Sequence, residues 1–159
     1  MRLKIWRFVC IYLTAITLSL TFSHLLEMPQ KFKYDQNLYM AVQHTLYFYY
    51  GWVGAPAELG AVAALIVLCF LVRGRKPSFA LTLTATICIA AGLAIWFAVV
   101  ATAYAQMAQW TTIPLPDSWM DTRRHWELGH ATSAMLDLIG FGALIASVLF
   151  DRTEAITNG

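Results

Sequence analysis

The chain has 159 residues, 59% of them hydrophobic and only 13% charged, with a mean hydropathy of +0.59. That is far more apolar than an ordinary soluble domain and disfavours a water-soluble fold. Four spans of ~20 residues would use about half the length and leave no room for a separate soluble domain, while a net charge of +2 is too small to recruit nucleic acid.

The fold class expected is all-α: a single integral membrane domain, a four-helix bundle with an extra interfacial helical segment before the second span. The first span covers about 5–26, behind the basic start Arg2, Lys4 and Arg7. It lacks an Ala-x-Ala-like cleavage site, and its apolar stretch exceeds the ~7–15 residues of a signal-peptide core, so it is read as a helix of the mature protein. The outer segment 30–50 is aromatic, with Tyr39, Tyr47, Tyr49 and Tyr50, the composition of a membrane-interface belt. The second span, 51–72, opens with Gly51, Gly54 and Pro56, which predict a break or kink. A basic turn from Arg73 to Pro77 ends it.

The third span covers 79–104, where Thr82, Thr84, Thr86 and Gly92 suit close helix contacts. An outer loop, 105–120, carries Pro114 and Pro116, and Asp117 and Ser118 are candidate caps for the last helix. That helix begins polar at Asp121, Arg123, Arg124 and Glu127 and spans the bilayer over 126–150. Cys10, Cys69 and Cys88 are odd in number and lie in apolar runs, so they read as small buried residues. Arg2, Lys4, Arg7, Arg73, Arg75, Lys76 and Arg152 fall on one side against Lys31, Lys33, Arg123 and Arg124 on the other. This asymmetry predicts cytoplasmic N and C termini in a bacterial-type inner membrane.

With that topology all four histidines fall near the outer face. His24 and Glu27 share a face at the end of the first span, as do Glu127 and His130 at the start of the fourth, with Arg123 and Asp137 on the same stripe. His44 lies in the aromatic segment, and His125 points elsewhere. Glu-x-x-His on inward-facing helices is a spacing used by carboxylate-bridged metal sites in bundles. A metal set of His24, Glu27, His44, Glu127 and His130 is therefore one expectation, with iron or copper as the ion. The bland alternative is that these groups face headgroups, bond to Arg123 or cap helix ends.

Two carboxylates lie deeper. Asp137 is about 9 Å below Ala131, and Glu58 about 10 Å below Gly51 if that span is helical throughout, so the two could meet at one depth. Intramembrane acids are functional candidates by default. Glu58 also reads as a first-turn residue after Pro56, stabilised by the helix dipole, and Asp137 as a partner for a Thr hydroxyl or Tyr104 on a neighbouring helix.

The run Leu26, Glu27, Met28, Pro29, Gln30, Lys31, the Tyr-rich segment through His44, and then Arg123, Trp126, Glu127 and His130 together resemble the anthrone-oxygenase-like membrane family. The resemblance covers nearly the whole chain at the level of pattern. It implies a small four-helix bundle and, for a few members, oxygenation of an aromatic polyketide anthrone to a quinone. Trp126 and His130 carry over, and Arg123 with them. Where the family pattern has an Arg shortly after the matching His, this chain has Ser133, a departure that bears on substrate and reaction type.

The first functional expectation is a membrane oxidoreductase, oxygenase-like, acting on an apolar aromatic or quinone-like molecule that enters from the lipid. His130, Glu127, Arg123, Asp137 and Glu58 would be its catalytic groups, and Trp126 and His44 would hold a cofactor. His130 would act as base and Arg123 would steady the resulting anion. With a metal, Glu27 and Glu127 would anchor the ion; without one, the same groups move protons. A non-catalytic accessory or lipid-binding subunit is the second reading, and a proton-coupled carrier resting on Glu58 and Asp137 the third. Expected partners are membrane lipid and a hydrophobic small molecule, with a homo-oligomer or a larger membrane complex open.

Overall fold

A computed structural model describes residues 1–151; Arg152, counted in the charge asymmetry above, lies outside them. Every regular element among these residues is helical. The order is α1 (Arg2–Lys31), α2 (Gln36–Thr45), α3 (Phe48–Val72), α4 (Lys76–Ile95), a π-helical turn (Trp96–Val100), α5 (Ala101–Met107) and α6 (Trp119–Leu149). Four rods are long and apolar enough to cross a membrane: α1, α3, the continuous stretch Lys76–Met107, and α6. The chain is an all-α integral membrane bundle.

The helices form a closed ring in the order α1, α3, α4, α6, each packed on its two neighbours. Successive rods alternate in direction, so every neighbour is antiparallel. Helix is the economical state for these segments because lipid offers no partners for free backbone groups. The hydroxyls along them turn back on their own helix, as Thr17 donates to the Leu13 carbonyl and Thr82 to that of Ser78. Small polar residues therefore pack between helices with their hydrogen bonds already made. Asp35 starts α2 by accepting from the Leu38 amide at 2.8 Å.

Several boundaries differ from the sequence expectation. Helix α1 runs through Pro29 to Lys31, and α3 begins at Phe48 and continues through Gly51, Gly54 and Pro56. Pro56 removes a single helical hydrogen bond, whereas an unwound turn at this depth would strand several backbone groups. The third rod extends from Lys76 to Met107 and contains the π-helical turn, which no sequence feature announced. Helix α6 begins at Trp119, directly after the candidate cap Ser118, which makes no side-chain capping bond. Cys69 and Cys88 are only half-buried, Cys10 alone being fully enclosed.

Two glycines let neighbouring rods approach. A Cβ at Gly140 would stand 3.0 Å from Ile89 Cδ1 and 3.3 Å from the Ala85 carbonyl, and one at Gly129 only 2.7 Å from Val100 Cγ2. Gly129 thereby makes room for the wide π turn. Below Gly140 lies a close-packed core of Leu65, Leu68, Ile89 and Leu144. Polar groups close it off at the end where α1 starts: Asp151 accepts from Arg7 and, at 2.9 Å, from Arg75, and Arg7 reaches Ser78.

Candidate active site

The opposite end of the bundle, where α1 stops and α6 starts, is built on two facing stripes. Positions 24, 27 and 31 of α1 share one face by their spacing, as do 123, 127, 130 and 137 of α6. Antiparallel packing sets the stripes against each other. At their centre is Lys31, with a relative exposure of 1%. Its Nζ stands 2.7 Å from Glu127 Oε2, an ion pair whose angle is off the line of a hydrogen bond. It lies 3.9 Å from Glu27 Oε2 and 3.3 Å from His24 Nδ1. Tyr39 on α2 donates to Glu127 Oε1 at 3.2 Å, and the Tyr47 hydroxyl donates to Glu27.

Burial pushes the Tyr39 phenol up from its ordinary value, reinforced by the neighbouring Glu127 charge and the hydrogen bond to it. Burial does the same to Tyr47, with the Glu27 hydrogen bond second. Both phenols are thus held as donors, and both tie the α2 segment down over the charged cluster.

Lys31 is the site residue that sequence reasoning missed, having been counted as an outer-side charge and as the end of the Leu26–Lys31 run, with no role in the site. The available signal was its spacing: it falls four residues after Glu27 and seven after His24, on their stripe. Its ammonium also decides the fate of the expected metal set. It occupies the point where His24, Glu27 and Glu127 converge. The His24 and His130 rings stack face to face, centroids 4.1 Å apart and planes 16° from parallel, so their in-plane lone pairs cannot aim at one ion. His44 sits exposed on α2, outside this cluster. Among the described residues no group of three or more His, Cys, Asp or Glu side chains is placed to hold a metal. The donor set does not fit an iron or copper centre.

Arg123 likewise takes a different place from the one expected. It is buried, and its guanidinium donates to the carbonyls of Lys31, Phe32 and Tyr34 at 3.0 to 3.2 Å while stacking 4.6 Å from the Trp119 ring. These are the last carbonyls of α1 and those just beyond it, which the helix itself leaves unpartnered. Arg123 is therefore a latch for the end of α1 and does not line the adjoining cavity.

That cavity, about 790 Å³, runs between α1, α2, α3, the rod Lys76–Met107 and α6. Its wall is largely apolar and aromatic, including Tyr47, Tyr50, Trp96, Phe97 and Tyr104. Of the expected site residues, His24, His44, Glu58, Trp126 and His130 line it; Glu27, Arg123, Glu127 and Asp137 stand behind the wall. Four lining side chains carry buried polar atoms that no other group among the described residues satisfies: both ring nitrogens of His130, the Trp126 indole nitrogen, Glu58 Oε1 and the Gln43 amide nitrogen. His130 is 6% exposed and Trp126 7%, so bulk solvent does not serve them. Native proteins leave few such atoms, and those they leave point to function. His24 differs. The Lys31 ammonium donates to its Nδ1, which assigns the ring hydrogen to Nε2.

Deeper along the cavity, Glu58 and Asp137 come together at Gly92. A Cβ at that glycine would lie 3.1 Å from Asp137 Oδ1 and 3.7 Å from Glu58 Oε1. Thr21 donates to the other Asp137 oxygen at 2.9 Å, the helix-to-helix bond anticipated as one role for this residue. Glu58 is well inside α3 rather than in its first turn, since the helix starts at Phe48. The dipole explanation for it therefore falls away.

Compared with known proteins, the chain matches no family model, no curated relative and no solved structure.

Proposed function

We propose that the protein is a membrane oxidoreductase of the oxygenase-like kind that works without a metal, taking an apolar aromatic or quinone-precursor molecule from the lipid into the cavity. The observation that carries this reading is the His130 ring, buried with both nitrogens unpartnered, on the wall of a large aromatic-lined cavity. An imidazole in that position can accept a proton from a substrate carbon acid within hydrogen-bond reach. Stacking on His24 and the edge of Trp126, 4.7 Å away, fix its orientation. Lys31 and Glu127, behind His24, set the tautomer of that second ring.

The chemistry balances with dioxygen as the sole oxidant. A ring CH₂ flanked by aryl groups loses a proton to His130, and the carbanion transfers its electrons to dioxygen and forms a C–O bond. Loss of water, which carries off both hydrogens, leaves the C=O of a quinone. The pattern resemblance to anthrone oxygenases favours this class of substrate. In orientation, the basic groups around Arg7 and Arg75 argue for a cytoplasmic end at the chain start, which sets the cavity toward the outer leaflet of a bacterial-type inner membrane.

Detergent-purified protein mixed with an anthrone tests the reading by oxygen uptake and quinone absorbance. The native chain should exceed the protein-free rate. His130→Phe, which keeps the stack and removes both nitrogens, should lose about 10²- to 10⁴-fold of the excess, the usual contribution of a positioned base. A rate unaffected by His130→Phe overturns the catalytic role. Binding of the anthrone without turnover would make the protein a carrier or accessory subunit for such molecules.

A further inference from the structure

Helix α6 places Asp137 seven residues beyond His130, so the carboxyl pair at Gly92 lies ~10 Å further along the bundle than the stacked imidazoles. Glu58 lines the same cavity as His130. Glu58 is 5% exposed and Asp137 is fully enclosed, yet Glu58 Oε1 and Asp137 Oδ1 each lack a hydrogen-bond donor. No ion pair among the described residues involves either carboxyl, and Thr21 serves only the far oxygen of Asp137. The Ser133 hydroxyl, also beside Gly92, donates to the Gly92 carbonyl at 3.2 Å. Glu58 Oε1 therefore stands at the cavity wall with no donor among the described residues, and Asp137 Oδ1, equally unserved, lies close behind it across Gly92.

We propose that this deep end of the cavity is a recognition site for a hydrogen-bond-donating head group, a hydroxyl or an ammonium, carried ~10 Å from the aromatic ring that lies against His130. The ligand class is accordingly an elongated apolar molecule with a ring at one end and a donor at the other. Trp96, Phe97 and Leu93 on the wall between suit its apolar middle. Glu58 receives the head directly, and Asp137, fixed by Thr21, approaches from the other side of Gly92. The inference rests on the cavity being a ligand site as proposed above, and adds the polarity and length of the ligand.

Three fluorescent probes test it: anthracenes carrying a four-carbon chain that ends in a hydroxyl, an ammonium or a methyl group, titrated into the detergent-purified chain. The hydroxyl or the ammonium probe should bind about tenfold or more tighter than the methyl probe, as expected when a buried acceptor gains a donor. Whichever of the two is tighter identifies the head group. Glu58→Leu should level the affinities while retaining the methyl probe. Gly92→Ala, which keeps both carboxyls and sets a methyl 3.1 Å from Asp137 Oδ1 and 3.7 Å from Glu58 Oε1, should do the same, and covers the case in which Glu58→Leu fails to elute as a folded species. Equal binding of all three probes by the native chain, or a preference that survives both substitutions, overturns the inference and leaves the His130 chemistry standing. Failure of every probe to bind removes the ligand site and both readings with it.

Discussion

At the end where the chain begins, Arg7, Arg75 and Ser78 gather around Asp151, and the space beneath them is filled by Leu65, Leu68, Ile89 and Leu144. At the other end Lys31, Glu127, Tyr39 and Arg123 are buried just as deeply, but beneath them the bundle encloses about 790 Å³ with unpartnered nitrogens on its wall. Both ends use enclosed charge to lock antiparallel helices together. The second end also sets unpartnered acceptors and donors on the wall of a cavity. Buried charge by itself is therefore a poor pointer to function in this fold; the pointer is a buried polar atom beside open space.

The comparison can be broken most forcefully at Lys31. Lys31→Met leaves Glu127 enclosed with no counter-charge, and unfolding in detergent should show a loss of about 3–5 kcal/mol. An unchanged transition would mean that the cluster does not hold α1 to α6. At the filled end, Leu68→Ala should cost about 2–5 kcal/mol through the void it creates, with probe binding left at the native value. A matching loss of binding would join the two ends into one functional unit.

The tyrosines sharpen the contrast with a smaller effect. Their phenols are held protonated in the folded chain, so their contribution is complete below the ordinary tyrosine value and declines as pH rises past it. Stability should fall above about pH 10 by up to about 1.4 kcal/mol per pH unit for each phenol. In the Tyr39→Phe, Tyr47→Phe double variant the descent should be shallower, as read from denaturation at stepped pH. The smallest effect is expected at His130→Phe. Removing two unpartnered nitrogens should leave stability within about 1 kcal/mol of native or slightly raise it, while the turnover proposed above should collapse. A large loss of stability there would mark His130 as structural.

Much of this arrangement could be read from residue order. Four apolar runs, separated by an aromatic segment, a basic turn and a loop with two prolines, define the rods, and the i, i+3 pairs His24 with Glu27 and Glu127 with His130 announce two stripes ending at one depth. The meeting of Glu58 with Asp137 followed from counting rise per residue. Other features depend on what lies across the bundle. Lys31 looks like an interfacial cation until Glu127 of another helix encloses it, and Arg123 looks like an anion-steadying group until the end of α1 offers it three carbonyls. Gly51, Gly54 and Pro56 carry a soluble-protein break signal that lipid overrides, because there an unwound turn costs more than one missing hydrogen bond.

The π-helical turn Trp96–Val100 has a consequence for the length of the chain. Its wider winding accommodates one more residue than an α-turn would, and Gly129 is the hollow that receives the bulge. Deleting a single residue within 96–100 would let α-helical winding resume. The turns beyond it would keep nearly their present rotation, leaving Tyr104 and Met107 on the cavity wall, whereas deleting a residue from the α-helical turns on either side would rotate everything beyond it by about 100°. A one-residue deletion should therefore be tolerated better inside 96–100 than elsewhere along the rod, and what it would remove is the bulge that Gly129 receives.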